Sequence, residues 1–203
     1  MIIYKASTKH FIKIFKLSDK YSIPFIYPTD TIYGIGAPFL NFEANKHIYL
    51  IKQRDYKKPF LVLIGNLDQL FMLIDESSFT ATHKKIINKL WPGEFTLIFN
   101  AKKTLPSYLL DKGKIAVRFP KYKELTEAIK VTFPITSTSA NISNTNINQN
   151  FKDILNQFKN KVDYFIYKKA QSDVPSTIID LSDSNNPIFI RNPKNYKIED
   201  LIK

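Results

Sequence analysis

The 203-residue chain contains no cysteine. That excludes a disulfide framework, a thiol nucleophile and a cysteine zinc site, so the fold must rest on its own core. A reducing cytoplasm fits such usage. No apolar run approaches the roughly 18 residues that a membrane span needs, and Met1-Ile2-Ile3-Tyr4-Lys5 lacks the shape of a signal peptide. A soluble, cytoplasmic protein without a membrane partner is expected. The common phosphate loops are missing as well: there is no G-x-x-x-x-G-K, and Gly34-Ile35-Gly36 is followed by Phe39 where a dinucleotide fingerprint places its third glycine. His10, His47 and His83 show no ligand spacing, so each is expected on a helix surface rather than at a metal. No G-x-S-x-G elbow occurs.

Arginine is the scarce residue that carries information. Among 30 basic residues only Arg54, Arg118 and Arg191 are arginines, so lysine is used almost wherever it will serve. A guanidinium presents a rigid planar fork that grips carboxylate or phosphate through paired hydrogen bonds, which an ammonium cannot copy. The three arginines are therefore candidate oxyanion contacts, with a structural salt bridge as the competing reading for each. The formal net charge of +12 and a pI near 9.6 favour polyanionic partners. Because lysine is spread evenly along the chain, a general compositional bias would give the same charge.

What is present reads as alternating helices and strands. Phe11, Ile14, Phe15 and Leu17 predict an amphipathic helix over Ser7 to Lys20, and Ile23 to Tyr27 a short buried strand. Pro28 stops that strand, and the following Thr29, Asp30, Thr31, Gly34 and Gly36 read as a polar, glycine-bearing turn at a binding edge. Asn41 is placed to cap a helix to about Gln53; Phe60 to Ile64 is a strand covered on both faces. Helices are expected over Leu67 to Ile74, Phe79 to Leu90, Lys123 to Lys130 and Asn150 to Phe158. Strands are expected over Phe95 to Phe99, Ile115 to Phe119, Tyr164 to Tyr167, Thr177 to Leu181 and Ile188 to Arg191, with a last helical turn or two from Tyr196. Pro134 to Asn141 passes from a strand end into a polar turn, and Ser143 to Gln149 is the most loop-like segment. The mixture predicts an α/β fold with a central sheet, and the absence of a repeat or long linker predicts one domain over residues 1–203.

Hydroxyl-rich turns follow or precede three of these strands: Thr29 and Thr31; Ser137, Thr138, Ser139 and Asn141; Ser176 and Thr177. Hydroxyls and turn N–H groups donate well to anionic oxygens, although local turn formation alone accounts for any one of them. Together with Lys52, Arg54, Lys58, Arg118 and Arg191 they could hold a polyphosphate beside a small acid.

Six segments then stand in a fixed order: Y-P-T-D-T-I-Y-G-I-G-A, K-Q-R with K-P soon after, W-P-G-x-x-T (Trp91 to Thr96), I-A-V-R-F-P (Ile115 to Pro120), S-T-S-A-N-I-S (Ser137 to Ser143) and P-S-T-I-I-D (Pro175 to Asp180). In that order they resemble the motifs of the YrdC/TsaC family of threonylcarbamoyl-AMP synthases, over about residues 20 to 192. The resemblance implies a twisted open mixed sheet with flanking helices around a basic concave cavity. It implies a nucleotidyltransferase that makes threonylcarbamoyl-AMP and pyrophosphate from L-threonine, bicarbonate and ATP, for the threonylcarbamoyladenosine modification of tRNA. The family's K-x-R and S-x-N pairs fall on Lys52/Arg54 and Ser139/Asn141, the implied catalytic set. Thr31, Arg118, Ser137, Ser176 and Thr177 would surround threonine; Arg54, Lys58, Ser139 and Arg191 would surround the nucleotide. Mg²⁺ would accompany ATP without dedicated protein ligands, and the product would pass to the tRNA threonylcarbamoyl-transferase machinery, direct tRNA contact being left open.

The chemistry agrees with that assignment. A carbamate attacking the α-phosphorus of ATP needs mainly positioning and charge neutralisation. Arg118 suits the threonine carboxylate, and Lys52, Arg54 and Arg191 the phosphates. Arg54→Ala and Arg118→Ala are each expected to fold and lose activity, and Asp30 reads better as a turn cap than as a general base. Asn144 stands where relatives often have glycine, which its tolerance of left-handed backbone allows. Leu63 stands where longer relatives often have histidine, and the chain's extent matches the short form without a further C-terminal domain. Two alternatives remain: an RNA-binding module using the basic cavity without chemistry, and a paralogue of the same fold acting on another carbamoyl or adenylate substrate.

Overall fold

Ser7 and Asn41 begin the first two long helices in the way their side chains dictate. Each lies in extended backbone and accepts a hydrogen bond from an N–H three residues on, His10 and Ala44 respectively, which satisfies one of the donors a helix N-terminus leaves free. The computed structural model describes residues 1–145, 150–168 and 172–202. Its helices are α1 (Thr8–Tyr21), α2 (Phe42–Lys52), α3 (Leu67–Phe71), α4 (Ala81–Leu90), α5 (Lys123–Val131), α6 (Phe151–Phe158) and α7 (Ile198–Ile202). The strands are β1 (Ile2–Lys5), β2 (Phe25–Tyr27), β3 (Gly34–Gly36), β4 (Leu61–Leu63), β5 (Phe95–Asn100), β6 (Lys114–Arg118), β7 (Ile135–Ser139), β8 (Tyr164–Tyr167), β9 (Thr177–Asp180) and β10 (Ile188–Arg191).

All ten strands join one open sheet in the order β1-β8-β2-β3-β7-β4-β6-β5-β9-β10. The pairs β1–β8, β2–β8, β4–β6 and β5–β9 are parallel, and β2–β3, β3–β7, β4–β7, β5–β6 and β9–β10 antiparallel. This is the mixed α/β sheet with flanking helices expected from the sequence.

Several elements differ from expectation, each for a physical reason. β1 has exposed Ile2 and Ile3 and half-buried Tyr4, so its burial gives no core pattern; pairing with the distant β8 makes it a strand. Gly34-Ile35-Gly36 is a buried strand rather than a turn. At Gly36 a Cβ would lie 2.1 Å from the Thr136 carbonyl oxygen on neighbouring β7, so only glycine allows that approach. Ser137, Thr138 and Ser139 lie inside β7 and not after it. His83 is buried at the start of α4 and not on a helix surface: it shares a capping box with Thr80, and its Nε2 lies 2.8 Å from the Leu181 carbonyl oxygen. Asn144 does take the left-handed conformation expected of it, at φ 65°. Of the loop-like segment 143–149, residues 146–149 lie outside the described residues.

Two apolar clusters cover the sheet. The larger includes Ile26, Ile35, Val62, Leu97, Val117 and Ile179, with residues of α2, α4 and α6. The smaller packs Phe11, Ile14 and Phe15 of α1 and Leu125, Ala128 and Ile129 of α5 onto Phe25, Tyr27, Leu63 and Ile135. Side chains alternate between the faces of a strand. Ser137 and Ser139 therefore share a face with Ile135, as Leu61 does with Leu63. A cavity opens on the part of this face that α1 and α5 leave uncovered.

Candidate active site

The cavity has a volume of roughly 270 Å³ and is floored by six neighbouring strands. Gly34 of β3 pairs with Ser139 of β7, Ser137 with Leu61 of β4, Leu63 with Arg118 of β6, Arg118 with Thr96 of β5, and Thr96 with Ile178 of β9. The two-residue period lines these positions up across the sheet as one surface. Thr29, Thr31 and Tyr33 enter from the β2–β3 connection, Arg54 and Pro59 from the segment after α2, Ser176 from just before β9, and Arg191 from the end of β10. All three of the chain's arginines meet here, and none of the described lining residues is acidic.

Each arginine is held differently. Arg118 is almost fully buried: Nη2 donates to Asp30 Oδ1 at 2.7 Å, Nη1 to Thr31 Oγ1 at 2.7 Å and Nε to the Gly93 carbonyl at 3.0 Å. Asp30 is thereby the partner of a buried ion pair, and its Oδ2 accepts the Lys121 N–H. That occupies the carboxylate and removes it as a free base. Arg54 donates to the Lys58 and Pro59 carbonyls at 3.2 and 2.9 Å and lies over the Phe60 ring. Arg191 donates to the Ser176 carbonyl and hydroxyl at 2.7 and 2.9 Å. Burial lowers the pKa of both, and Arg118 adds to the effect at Arg191. Among the described residues neither forms an ion pair, so each keeps a positive charge available to an anion.

The hydroxyls have a fixed polarity. Ser139 Oγ donates to Asn141 Oδ1 at 2.5 Å, which leaves its lone pairs toward the cavity. Ser137 Oγ instead accepts from the Tyr27 phenol at 2.6 Å. Ser176 Oγ is shared between Thr96 Oγ1 at 2.9 Å and Arg191. Two serines on one face of β7 thus present opposite hydrogen-bonding character.

Thr31, Arg54, Arg118, Ser137, Ser139, Ser176 and Arg191 therefore converge as the sequence suggested. Four expected residues do not line the cavity. Lys52 is buried beneath it, where Nζ donates to the carbonyls of Ser139 and Asn141 at 2.5 Å each and to Asn141 Oδ1 at 3.4 Å. Burial, and secondarily the Arg54 charge, pulls its pKa down to about 7. It shapes the turn after β7 and does not face a phosphate. Asn141 is buried in the same turn, its amide donating to the Thr145 carbonyl at 2.8 Å. Lys58 has an exposed side chain, and its carbonyl orients Arg54. Thr177 is buried between Ser176 and Ile178, which both line the cavity, and its Oγ1 lacks a hydrogen-bond partner among the described residues.

Thr96 and Tyr33 line the cavity without having been singled out as site residues. Thr96 could have been found from its place as the last residue of W-P-G-x-x-T. Tyr33 likewise stands inside Y-P-T-D-T-I-Y-G-I-G-A, but the contact that fixes it is distant: its hydroxyl donates to the Lys168 carbonyl, 135 residues away. Leu61, Leu63, Ala116 and Ile178 make an apolar floor that is legible only from strand register.

A hollow of cations and oriented hydroxyls on an open α/β sheet defines a domain built to hold anionic ligands. The chain belongs to the Sua5/YciO/YrdC family, whose model, described as "Telomere recombination", matches residues 23–192. It is 34% identical over 158 residues to a Methanocaldococcus jannaschii protein provisionally named threonylcarbamoyl-AMP synthase, covering 76% of this chain and 72% of that one. P. abyssi Sua5 complexed with L-threonine superposes with a TM-score of 0.85 at 25% identity, over 94% of this chain. The chain spans 57% of that structure's length. E. coli YciO shares the fold, with a TM-score of 0.79 at 20% identity over 94% of both chains.

Proposed function

We propose that this chain is a threonylcarbamoyl-AMP synthase, joining L-threonine, bicarbonate-derived carbon dioxide and ATP into threonylcarbamoyl-AMP and pyrophosphate. The observation that carries the reading is the meeting of the three sparse arginines with Thr31, Ser137, Ser139 and Ser176 in one cavity. The named relative and the threonine-bound neighbour support it.

In this reading threonine's carboxylate sits against Arg118, Thr31 and Ser137, and the nucleotide phosphates against Arg54 and Arg191. The neutral amine of threonine forms an N–C bond to carbon dioxide and gives up one N–H proton, which the hydroxide left by bicarbonate dehydration takes up as water, to give a carbamate. A carbamate oxygen then bonds to the α-phosphorus as the bond from that phosphorus to the bridging oxygen breaks, releasing pyrophosphate. Two anions must approach one another, so most of the catalysis is positioning together with cancellation of charge by the two unpaired guanidiniums. Lys52 and Asn141 hold the Ser139 turn rigid beneath the reacting groups. The lining lacks carboxylates and the described residues contain no cluster of three His, Asp or Glu, which does not fit a dedicated protein metal site. Mg²⁺ would come bound to ATP, where it would offset phosphate charge. The adenylate would be handed to the machinery that modifies tRNA, in the cytoplasm.

Pyrophosphate release by the purified chain is the test. Release that requires threonine, bicarbonate and ATP together is expected. ATP turnover indifferent to threonine would sink the reading in favour of another adenylate substrate, and retention of RNA without turnover would favour a binding module.

A further inference from the structure

We propose that Tyr27 is a positioning residue for this site: its buried phenol fixes Ser137 as a hydrogen-bond donor aimed at the ligand's carboxylate. The inference rests on the threonine-binding reading above. Tyr27 ends β2 and is completely buried, and its hydroxyl donates to Ser137 Oγ at 2.6 Å. No other hydrogen-bond partner surrounds the phenol among the described residues, so its proton has one place to go. Turned elsewhere, that buried O–H would have neither water nor an acceptor.

A serine oxygen that accepts on one side keeps its own proton for another partner. Ser137 Oγ has no second partner among the described residues, and Ser137 lines the cavity, so the free O–H is directed at whatever occupies it. Without Tyr27 the hydroxyl would rotate freely and offer donor or acceptor alike. The same cavity holds Arg118, three of whose five N–H groups are already engaged. A preset O–H beside the remaining guanidinium donors suits the two oxygens of a carboxylate, which accepts only.

The backbone is cut to fit this phenol. A Cβ at Gly34 would lie 3.1 Å from both Tyr27 Cζ and Ser137 Oγ, and one at Gly36 would lie 3.1 Å from Tyr27 Cε1. Glycine at both positions leaves the ring the space beside β3 that its hydroxyl needs to reach Ser137. Burial also pushes the phenol pKa well above its ordinary value, so the donor is present throughout the working pH range.

The experiment compares the wild-type chain with Tyr27→Phe, Ser137→Ala and the double variant. Affinity for threonine and for threoninamide is measured by calorimetry, and the KM for each substrate from pyrophosphate release. Tyr27→Phe keeps the ring and loses the O–H. It should weaken threonine binding about five- to tenfold, about the worth of one ordinary hydrogen bond, because the Ser137 O–H is left unaimed rather than removed. The KM for ATP and kcat at saturating threonine should stay within about twofold, and the preference for threonine over threoninamide should narrow. The double variant should bind no more weakly than Ser137→Ala, because both changes remove the same interaction. Wild-type threonine affinity in Tyr27→Phe, losses that multiply in the double variant, or an equal rise in the KM for ATP would each overturn the proposal. Should Tyr27→Phe not fold, Ser137→Ala with unchanged threonine affinity overturns it alone. A wild-type chain that releases pyrophosphate with threonine while Tyr27→Phe behaves identically refutes only the role of Tyr27, whereas a wild-type chain that binds no threonine refutes the synthase reading as well.

Discussion

Lys52 Nζ lies 2.5 Å from the carbonyl oxygens of both Ser139 and Asn141, so a lysine at the end of α2 holds the turn that follows β7. Three acceptors stand around it, counting Asn141 Oδ1, which matches the three donors of an ammonium. The pair K-x-R is thus split in function: Arg54 faces the ligand space and Lys52 braces the wall behind it.

Replacing Lys52 by methionine leaves the buried Asn141 carbonyl without a donor, while the Ser139 carbonyl keeps only the Asn141 N–H at 2.9 Å. An unpaired group of this kind costs about 1–3 kcal/mol, so the variant should unfold at lower urea and lose most activity. The pH dependence has a definite sign. The folded-state pKa is depressed to about 7 against about 10.4 unfolded, so between those values the unfolded chain binds more protons and stability rises with pH. The contribution is smallest below about pH 7 and grows toward pH 10. Urea midpoints at pH 6.5, 8 and 9.5 should therefore climb more steeply in the wild type than in Lys52→Met.

Arg118→Ala is expected to be structurally costly, contrary to what its scarcity alone suggested. The change strands the Asp30 carboxylate in a buried site, a situation that costs about 3–5 kcal/mol. Adding Asp30→Asn should recover much of the lost stability and none of the activity. Chemical denaturation beside pyrophosphate release measures both, and an Arg118→Ala variant as stable as the wild type would contradict the ion pair's role.

Arg54→Ala should keep its fold and lose its nucleotide. The side chain's partners are two carbonyls on the segment it belongs to, so stability should fall by less than about 1 kcal/mol. The KM for ATP should rise at least about tenfold, the loss of one charge-assisted contact of roughly 1.5–3 kcal/mol, with the KM for threonine changing less.

Gly36→Ala should be among the most damaging single-methyl changes in the chain. Its Cβ would meet the Thr136 backbone at 2.1 Å, forcing β3 off β7 in the strands that floor the cavity. A loss of roughly 3–5 kcal/mol is expected, read as a lower melting temperature together with lost threonine binding.

Much of this was open to a reader of the sequence. Ser7 and Asn41 announce α1 and α2 by their capping chemistry, and the even apolar run Phe60 to Ile64 announces a strand covered on both faces. Arginine scarcity located three cavity residues without any structure. Where expectation failed, the deciding contact was distant. β1 needs β8, 162 residues on in register, and Gly34-Ile35-Gly36 reads as a turn until β7 is placed beside it. Lys52 reads as a phosphate ligand because its sequence neighbours do not reveal the carbonyls 87 and 89 residues away. Ile135 to Ser139, read from sequence as a strand end passing into a polar turn, is a strand throughout, with Ser137 and Ser139 on the face Ile135 shares; the small hydroxyl side chains concealed it, because they suit turns equally well.

The position of β8 between β1 and β2 sets an order of events for a chain emerging from the ribosome. β1 has no strand to pair with until residues 164–167 have been made, while β2 and β5, already paired with β3 and β6, each keep one open edge until β8 and β9 arrive. Closing such long loops is entropically slow. Half-synthesised molecules would expose unpaired strand edges, and a nascent chain of this kind has reason to rely on a chaperone until its last third arrives.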